Sequence, residues 1–349
     1  SEMCIRDSNT IDSISLYVSF INKGVVPILI NSDLEESLIR DITEKYNPSY
    51  IFTPLTNQNY DYNYAEFLTY NSFSVLKSAK SFQSELDSEL AILLSSSGST
   101  GSPKLIRISY KNLLSNAISI SNYLNLNSDE IAITNLPMNY SYGLSIINSH
   151  LYVGAKIVVT EKSIIQRDFW ELVKIYNVTS LSGVPYTYEI LKKLRFFKMD
   201  HSSIRYMTQA GGKLSNNIIE EFANYCTNKN IDFFIMYGQT EGTARLSYLN
   251  PNKTTEKLGS IGKAIPGGEF RLVSNENKTI ELPSIEGELV YIGENVMLGY
   301  ANEISDLSKG AELNNTLHTG DLAYKDEEGY FFITGRKKRF IKIYGNRFS

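Results

Sequence analysis

Ten consecutive residues carry the densest chemistry of the chain: Ser95, Ser96, Ser97, Gly98, Ser99, Thr100, Gly101, Ser102, Pro103 and Lys104. Hydroxyls donate to phosphate oxygens, glycine frees the backbone so that N–H groups can face an anion, and lysine adds a point charge. The stretch is not a Walker A loop, because Pro103 stands where G-x-x-x-x-G-K-[ST] needs its second glycine. A flexible linker has a similar composition, but linkers do not usually end in Pro-Lys and run on into an alternating strand such as Leu105 to Ile108. A second group, Tyr237-Gly238-Gln239-Thr240-Glu241-Gly242, follows the apolar run Phe233 to Met236. Ligands bind at strand ends in α/β sheets, and an aromatic, a hydroxyl and a carboxylate suit base stacking, a phosphate contact and a Mg²⁺ ligand. A third group is Thr319-Gly320-Asp321, with Gly335-Arg336-Lys337-Lys338 downstream. A carboxylate such as Asp321 can hold two ribose hydroxyls. Taken singly, Asp321 fits an ordinary Asx-turn and Arg336 to Arg339 a solvated basic run.

Taken together and in this order, the motifs resemble the adenylate-forming superfamily of acyl-CoA synthetases, luciferases and peptide-synthetase adenylation domains. Ser96 to Lys104 looks like the phosphate loop of that family, and Tyr237 to Glu241 matches its Y-G-x-T-E motif. Gly287 to Tyr291 with Asn295 to Tyr300 matches its barrel signature, and Thr319-Gly320-Asp321 its T-G-D motif. Ala210-Gly211-Gly212-Lys213 resembles the loop lining the adenine pocket, and Gly335 through Lys338, Lys342 and Gly345 the hinge. The resemblance runs from about residue 12 to 349.

The resemblance implies a role for each matching residue. Ser96, Ser99, Thr100, Gly101 and Lys104 would handle the β- and γ-phosphates of ATP. Tyr237, beside Gly238, would stack on adenine next to Gly211 and Gly212. Thr240 would contact the α-phosphate, Glu241 would bind Mg²⁺, Asp321 and Arg336 would hold the ribose, and Lys338 would be the hinge. The implied reaction joins a small carboxylic acid to AMP with release of pyrophosphate, then passes the acyl group to a thiol of CoA or of a phosphopantetheine carrier. Catalysis would be positioning plus charge neutralisation by Lys104, Thr240 and Glu241. An acyl-carrier protein is the implied macromolecular partner. Many members carry a His beside the acyl site where Asn139 and Tyr140 stand here. His150 and His318 read as structural. Members also end in a small mobile domain with a catalytic Lys, and this chain stops before it. A nucleotide-binding or carrier-docking module without full turnover is therefore an alternative, and a P-loop kinase or ATPase a more distant one.

The elements that must position these motifs alternate. Val25 to Ile30, Tyr50 to Thr53, Ala91 to Leu94, Glu130 to Leu136, Ile157 to Thr160, Thr179 to Ser182, Ile204 to Thr208 and Phe233 to Tyr237 read as strands. Helical patterns separate them, among them Tyr110 to Leu124, where Leu113, Ala117, Ile120 and Leu124 recur at steps of three and four, and Gly143 to Val153. Ser32 and Glu35 have capping-box spacing ahead of another helix. Thr56 to Ser88 reads as an irregular surface connection. From about Arg245 short strands lie between Gly, Pro and Asn turns, as in a small antiparallel barrel. The fold class is α/β: two parallel-rich αβα sheet subdomains, then a small antiparallel β-barrel, with the C-terminal mobile domain absent. The division expected is an α/β core over 9–244, the barrel over 245–335, and the hinge over 336–349.

Residues 1–8 (SEMCIRDS) match nothing that follows and can be back-translated to a sequencing-adapter end. They read as non-native and stand outside the fold reasoning, and the chain as a fragment of a longer protein. The net charge of −4 argues against a nucleic-acid binder. Two Cys and three His exclude a disulfide scaffold or a Cys/His zinc site. No apolar stretch is long enough to span a membrane, so a cytoplasmic location is the default.

Overall fold

The computed structural model of the chain describes residues 2–7, 9–31, 34–55, 64–71, 73–79, 85–95, 104–199, 201–337, 341–343 and 346–348. The apolar runs become strands and the segments with three- and four-residue apolar steps become helices between them. The helix Tyr110–Tyr123 shows the local logic. Ser109 caps it reciprocally with Asn112, each side chain accepting from the other's backbone N–H, and Leu113, Ala117 and Ile120 face the core. The spare amide of Asn112 donates to the carbonyls of Glu294 and Val296 at 2.7 and 2.8 Å, so the start of the helix also fixes a distant stretch of chain.

The largest sheet has eight strands, in the order Gly299–Ala301, Leu105–Ser109, Leu90–Ser95, Val26–Asn31, Glu2–Asp7, Tyr50–Pro54, Phe73–Ser78, Tyr64–Tyr70. Its middle four strands are parallel and both flanks are antiparallel. A second sheet of five strands runs Ser180–Gly183, Tyr206–Gln209, Asp232–Tyr237, Ser247–Leu249, Lys263–Ala264, parallel over the first three and antiparallel after. A small antiparallel sheet of four strands joins Gly268–Val273, Gly287–Gly293, Thr316–Lys325 and Phe331–Arg336. No helix among the described residues is long and apolar enough to cross a membrane.

Several expectations need correcting. Thr56 to Ser88 is not wholly irregular: Tyr64–Tyr70 and Phe73–Ser78 form an antiparallel hairpin on the edge of the large sheet, turning at Asn71 with φ of 50°. Both sheets that were expected to be parallel-rich are mixed. The expected barrel is, among the described residues, an open four-stranded sheet. Of its signature, Gly287–Gly293 lies in that sheet, but Gly299–Ala301 leaves it to pair with Leu105–Ser109 in the large one. The strands Ser247–Leu249 and Lys263–Ala264 likewise extend the five-stranded sheet, so residues 245–335 contribute to each of these three larger sheets. Ser32 lies outside the described residues, and Glu35 is the N-cap of Glu36–Tyr46 without a side-chain cap bond. Residues 2–7, set apart on sequence grounds, form a strand parallel to Val26–Asn31 on one side and Tyr50–Pro54 on the other. A backbone ladder asks only for an extended chain, so that pairing is indifferent to the segment's origin.

Candidate active site

The turn after the strand Asp232–Tyr237 is the centre of the site, and its shape is dictated by close backbone approach. The chain doubles back so tightly that a Cβ on Gly238 would lie 1.6 Å from the carbonyl oxygen of Ala244. Leu246 N–H donates to the Tyr237 carbonyl at 2.9 Å, and Thr243 and Ala244 take φ of 53° and 92° to complete the return. This fold-back lifts Tyr237, Gln239, Thr240 and Glu241 off the sheet end towards three other elements.

At one end the turn grips the small sheet. Asp321 and Arg336 are register partners on adjacent strands, and Arg336 Nε donates to Asp321 Oδ1 at 2.9 Å. The other oxygen, Oδ2, accepts from Tyr237 Oη at 2.6 Å and from Gln239 Nε2 at 2.9 Å. Gln239 also donates to the Thr319 carbonyl at 3.0 Å, and Thr319 Oγ1 accepts from the Asp321 N–H at 3.1 Å. Burial, then the Asp321 carboxylate beside it, push the Tyr237 phenol far above its ordinary pKa, so it stays a neutral donor. Hydrogen bonding to Asp321 raises Arg336 as well.

At its other end the turn meets the large sheet. Tyr300 Oη donates to Glu241 Oε1 at 2.8 Å, and the Met297 N–H donates to the Glu241 carbonyl at 2.9 Å. Lys104 Nζ stands 5.8 Å from the centroid of the Tyr300 ring, within cation–π range. Thr240 Oγ1 shares a 3.1 Å hydrogen bond with Ser141 Oγ at the start of the helix Ser141–Tyr152. Gly211 and Gly212 follow the neighbouring strand Tyr206–Gln209, with the Tyr140 hydroxyl against Gly211 and Gln209 Nε2 donating to the Gly212 carbonyl at 2.9 Å. Behind the helix, Arg245 is buried among Ser145 Oγ, Tyr123 Oη and the face of Tyr142, with no carboxylate in contact among the described residues. Burial opposes its charge, but the surrounding tyrosines outweigh this and its pKa is raised.

The structure thus brings together Lys104, Gly211, Gly212, Tyr237, Gly238, Thr240, Glu241, Asp321 and Arg336, from three sheets, around one turn. Ser96, Ser99, Thr100, Gly101 and Lys338 lie outside the described residues. His150 is in the core: Nδ1 bonds the Ile146 carbonyl at 2.8 Å and Nε2 the Tyr206 hydroxyl at 3.0 Å, far from any solvent-facing chemistry. His318 lies 3.5 Å from the buried Glu288. In the sequence Gln239 and Tyr300 have no role of their own, while Ser141 falls within Tyr140 to Gly143, a stretch read as pocket wall. Gln239 fills the variable position of its motif, and its partner Asp321 is remote in sequence, so no local spacing points to it. Tyr300 was visible only as the end of a signature.

Among the described residues no three His, Cys, Asp or Glu side chains gather as a metal cage. One carboxylate, Glu241, is what the turn offers. That donor set fits Mg²⁺, which takes one or two carboxylates and fills its remaining positions with phosphate oxygens and water. It suits a cation carried in with a nucleotide rather than a resident ion. A carboxylate and an aromatic held in a fixed mutual geometry at Asp321 and Tyr237 fit a nucleoside.

The sequence model of the family described as "AMP-binding enzyme" matches residues 4–301. The 2-succinylbenzoate–CoA ligase of Bacillus cereus is 28% identical over 345 residues, which span 97% of this chain and 69% of that enzyme. The o-succinylbenzoate CoA synthetase of Bacillus subtilis shares the fold. Its complex with the acyl-adenylate intermediate superposes with a TM-score of 0.79 at 24% identity, covering 99% of this chain and 70% of that one. Its complex with ATP and magnesium ion gives 0.77 at 24% identity, covering 99% and 71%.

Proposed function

Because this chain belongs to the AMP-binding enzyme family, we propose that it activates a small carboxylic acid with ATP, releasing pyrophosphate, and transfers the acyl group from AMP to the thiol of CoA. The observation that carries this reading is the two-ended anchoring of the turn Tyr237–Glu241: Asp321 holds one end and Tyr300 the other. A nucleoside at the Asp321 end and a metal-bound phosphate chain at the Glu241 end would then lie along a single turn, with Thr240 between them. Tyr237 offers its ring to adenine while its hydroxyl is fixed on Asp321, so the ring cannot rotate away. Gly211 and Gly212 would border the base, and Gly238 permits the close return of the turn. Asp321, with Arg336, would take the ribose hydroxyls. Thr240 and Ser141 present hydroxyls to the α-phosphate. Lys104, with Ser96, Ser99, Thr100 and Gly101, would receive the β- and γ-phosphates. Glu241 would hold magnesium, which when bound would supply charge neutralisation for the pyrophosphate. No side chain is needed as a nucleophile, since the substrate carboxylate attacks phosphorus directly.

The names of the relatives make 2-succinylbenzoate the first acid to try. We further propose Lys338 as the hinge within 336–349, residues 9–244 as the nucleotide-binding core with 245–335 as the β-rich part that follows it, residues 1–8 as non-native, and the cytoplasm as the compartment. A pantetheine-bearing carrier protein is the second acceptor to test. ATP–pyrophosphate exchange over a carboxylate panel tests the whole reading. Exchange dependent on at least one acid is the expected result. ATP binding without acid-dependent exchange would instead favour a nucleotide-binding or docking module.

A further inference from the structure

The hydroxyl of Tyr300 and the face of its ring are both engaged, by groups of opposite charge. The phenol O–H donates to Glu241 Oε1 at 2.8 Å, and the Lys104 ammonium lies 5.8 Å from the ring centroid. Lys104 closes the hydroxyl-rich loop, and Glu241 is the carboxylate of the central turn. Among the described residues no ion pair joins Lys104 to Glu241, and one side chain meets both, Lys104 at its ring face and Glu241 at its hydroxyl.

The ring is held on a rigid element. Tyr300 is paired with Ile106 in the antiparallel ladder, and its carbonyl accepts from Arg107 Nε at 3.3 Å. Arg107 is itself wholly buried and ion-paired with Glu312. Gly299, at φ of 155°, makes room for that pair: a Cβ there would come within 2.6 Å of the Arg107 guanidinium. The Met297 N–H fixes the backbone of Glu241 from the same stretch of chain. Strand and turn therefore cannot drift apart independently, and the phenol meets a carboxylate whose backbone is already placed.

The chemistry of the donor matters. A phenol orients a carboxylate by occupying one oxygen but, unlike a lysine or arginine, leaves its negative charge intact. Oε2 of Glu241 accepts no hydrogen bond among the described residues. The carboxylate is thus oriented through one oxygen and, among the described residues, open at the other, as a cation ligand must be.

We propose that Tyr300 is a positioning residue of the nucleotide site: it aims Glu241 at the cation of Mg·ATP and keeps Lys104 from collapsing onto that carboxylate, so that lysine and metal approach the phosphate chain separately. The inference rests on the nucleotide-binding reading given above.

Calorimetric titration of the chain with ATP, with Mg²⁺ and with Mg²⁺ chelated, tests it without requiring turnover. Tyr300→Phe removes the hydroxyl and keeps the ring. It should weaken Mg·ATP binding roughly tenfold, the scale of one lost hydrogen bond to a charged group, while Mg-free ATP changes by less than about twofold. Tyr300→Leu removes the ring as well and should also weaken Mg-free ATP, because Lys104 can then pair with Glu241. In a Glu241→Gln background, Tyr300→Phe should add nothing, a non-additivity that a purely structural role would not produce. Melting curves of Tyr300→Phe close to wild type keep the test independent of folding. An undiminished Mg²⁺ enhancement in Tyr300→Phe, or additive losses in the double variant, would overturn the proposal. Failure of the wild-type chain to bind ATP at all would be a different result, overturning the nucleotide-binding reading beneath it.

Discussion

An ionised carboxylate offers about four lone-pair positions, and Asp321 has three filled, by Tyr237, Gln239 and Arg336. If Asp321 takes two ribose hydroxyls as proposed, they need two positions, so one protein donor must yield. Arg336 is the one able to, because its side chain is 77% exposed whereas Tyr237 is held by the turn. Asp321→Asn replaces an acceptor with a donor facing these N–H and O–H groups. It should lower AMP affinity at least roughly tenfold in a binding titration, where a change under twofold would remove Asp321 from the site. Gly238→Ala places a methyl 1.6 Å from a carbonyl oxygen and should cost about 3 kcal/mol or more in a urea unfolding midpoint. His150 provides a pH signature. Burial, the largest influence on it, holds its pKa down to about 4, against 6.5 for an ordinary histidine. The unfolded chain therefore protonates first as pH falls. The stability this neutral ring allows is complete above pH 6.5 and is lost progressively between 6.5 and 4, on the order of 3 kcal/mol in all. Unfolding midpoints measured across that range should flatten in His150→Gln, and an unchanged slope would place the titration elsewhere.

The small sheet shows how an element is tied down beside the proposed hinge. Lys337 Nζ donates to Glu288 Oε2 at 2.7 Å, its N–H donates to the Gly320 carbonyl at 2.8 Å, and His318 approaches the same carboxylate. Burial pushes the Glu288 carboxyl up, but the Lys337 and His318 contacts outweigh it and the net shift is below the ordinary 4.5. A depressed carboxylate contributes stability above its unfolded pKa and loses it as pH falls through the lower folded value. Acidification below about 4.5, or Glu288→Gln at neutral pH, should therefore loosen the end of the strand Phe331–Arg336. Faster amide exchange at residues 334–337 is the expected reading, and unchanged protection would show that the ladder alone holds the strand. Elements differed in how far their sequences disclosed them. The helix Tyr110–Tyr123 was legible because periodicity and cap agree. The hairpin Tyr64–Tyr70 with Phe73–Ser78 was not, because its outer strand exposes Phe67, Leu68 and Tyr70 and so lacks alternation. The strand Thr316–Lys325 was hidden by Thr319-Gly320-Asp321, which has the composition of a turn; Gly320, at φ of 71°, and a bulge after Leu322 accommodate it within the ladder.

At the scale of the molecule, the site exists because three sheets end at one turn. The five-stranded sheet supplies Tyr237 to Glu241, the small sheet Asp321 and Arg336, and the large sheet Tyr300 and Lys104. Motif order could point to the residues but not to their contacts, since Tyr237 with Asp321 and Glu241 with Tyr300 are long-range pairs that only the packing of sheets creates. Those contacts also explain why a ligand bridging the sheets should stabilise the whole. Mg·ATP at a hundred times its Kd should add about 2.7 kcal/mol, raising the melting temperature by several degrees and less in Asp321→Asn or Glu241→Gln. The most direct measurement is the identity of the nucleotide product when the chain turns over ATP with Mg²⁺, CoA and 2-succinylbenzoate or another accepted acid. AMP and pyrophosphate in equal amounts, formed only when the acid is present, are the expected products; ADP and inorganic phosphate would contradict the adenylation reading.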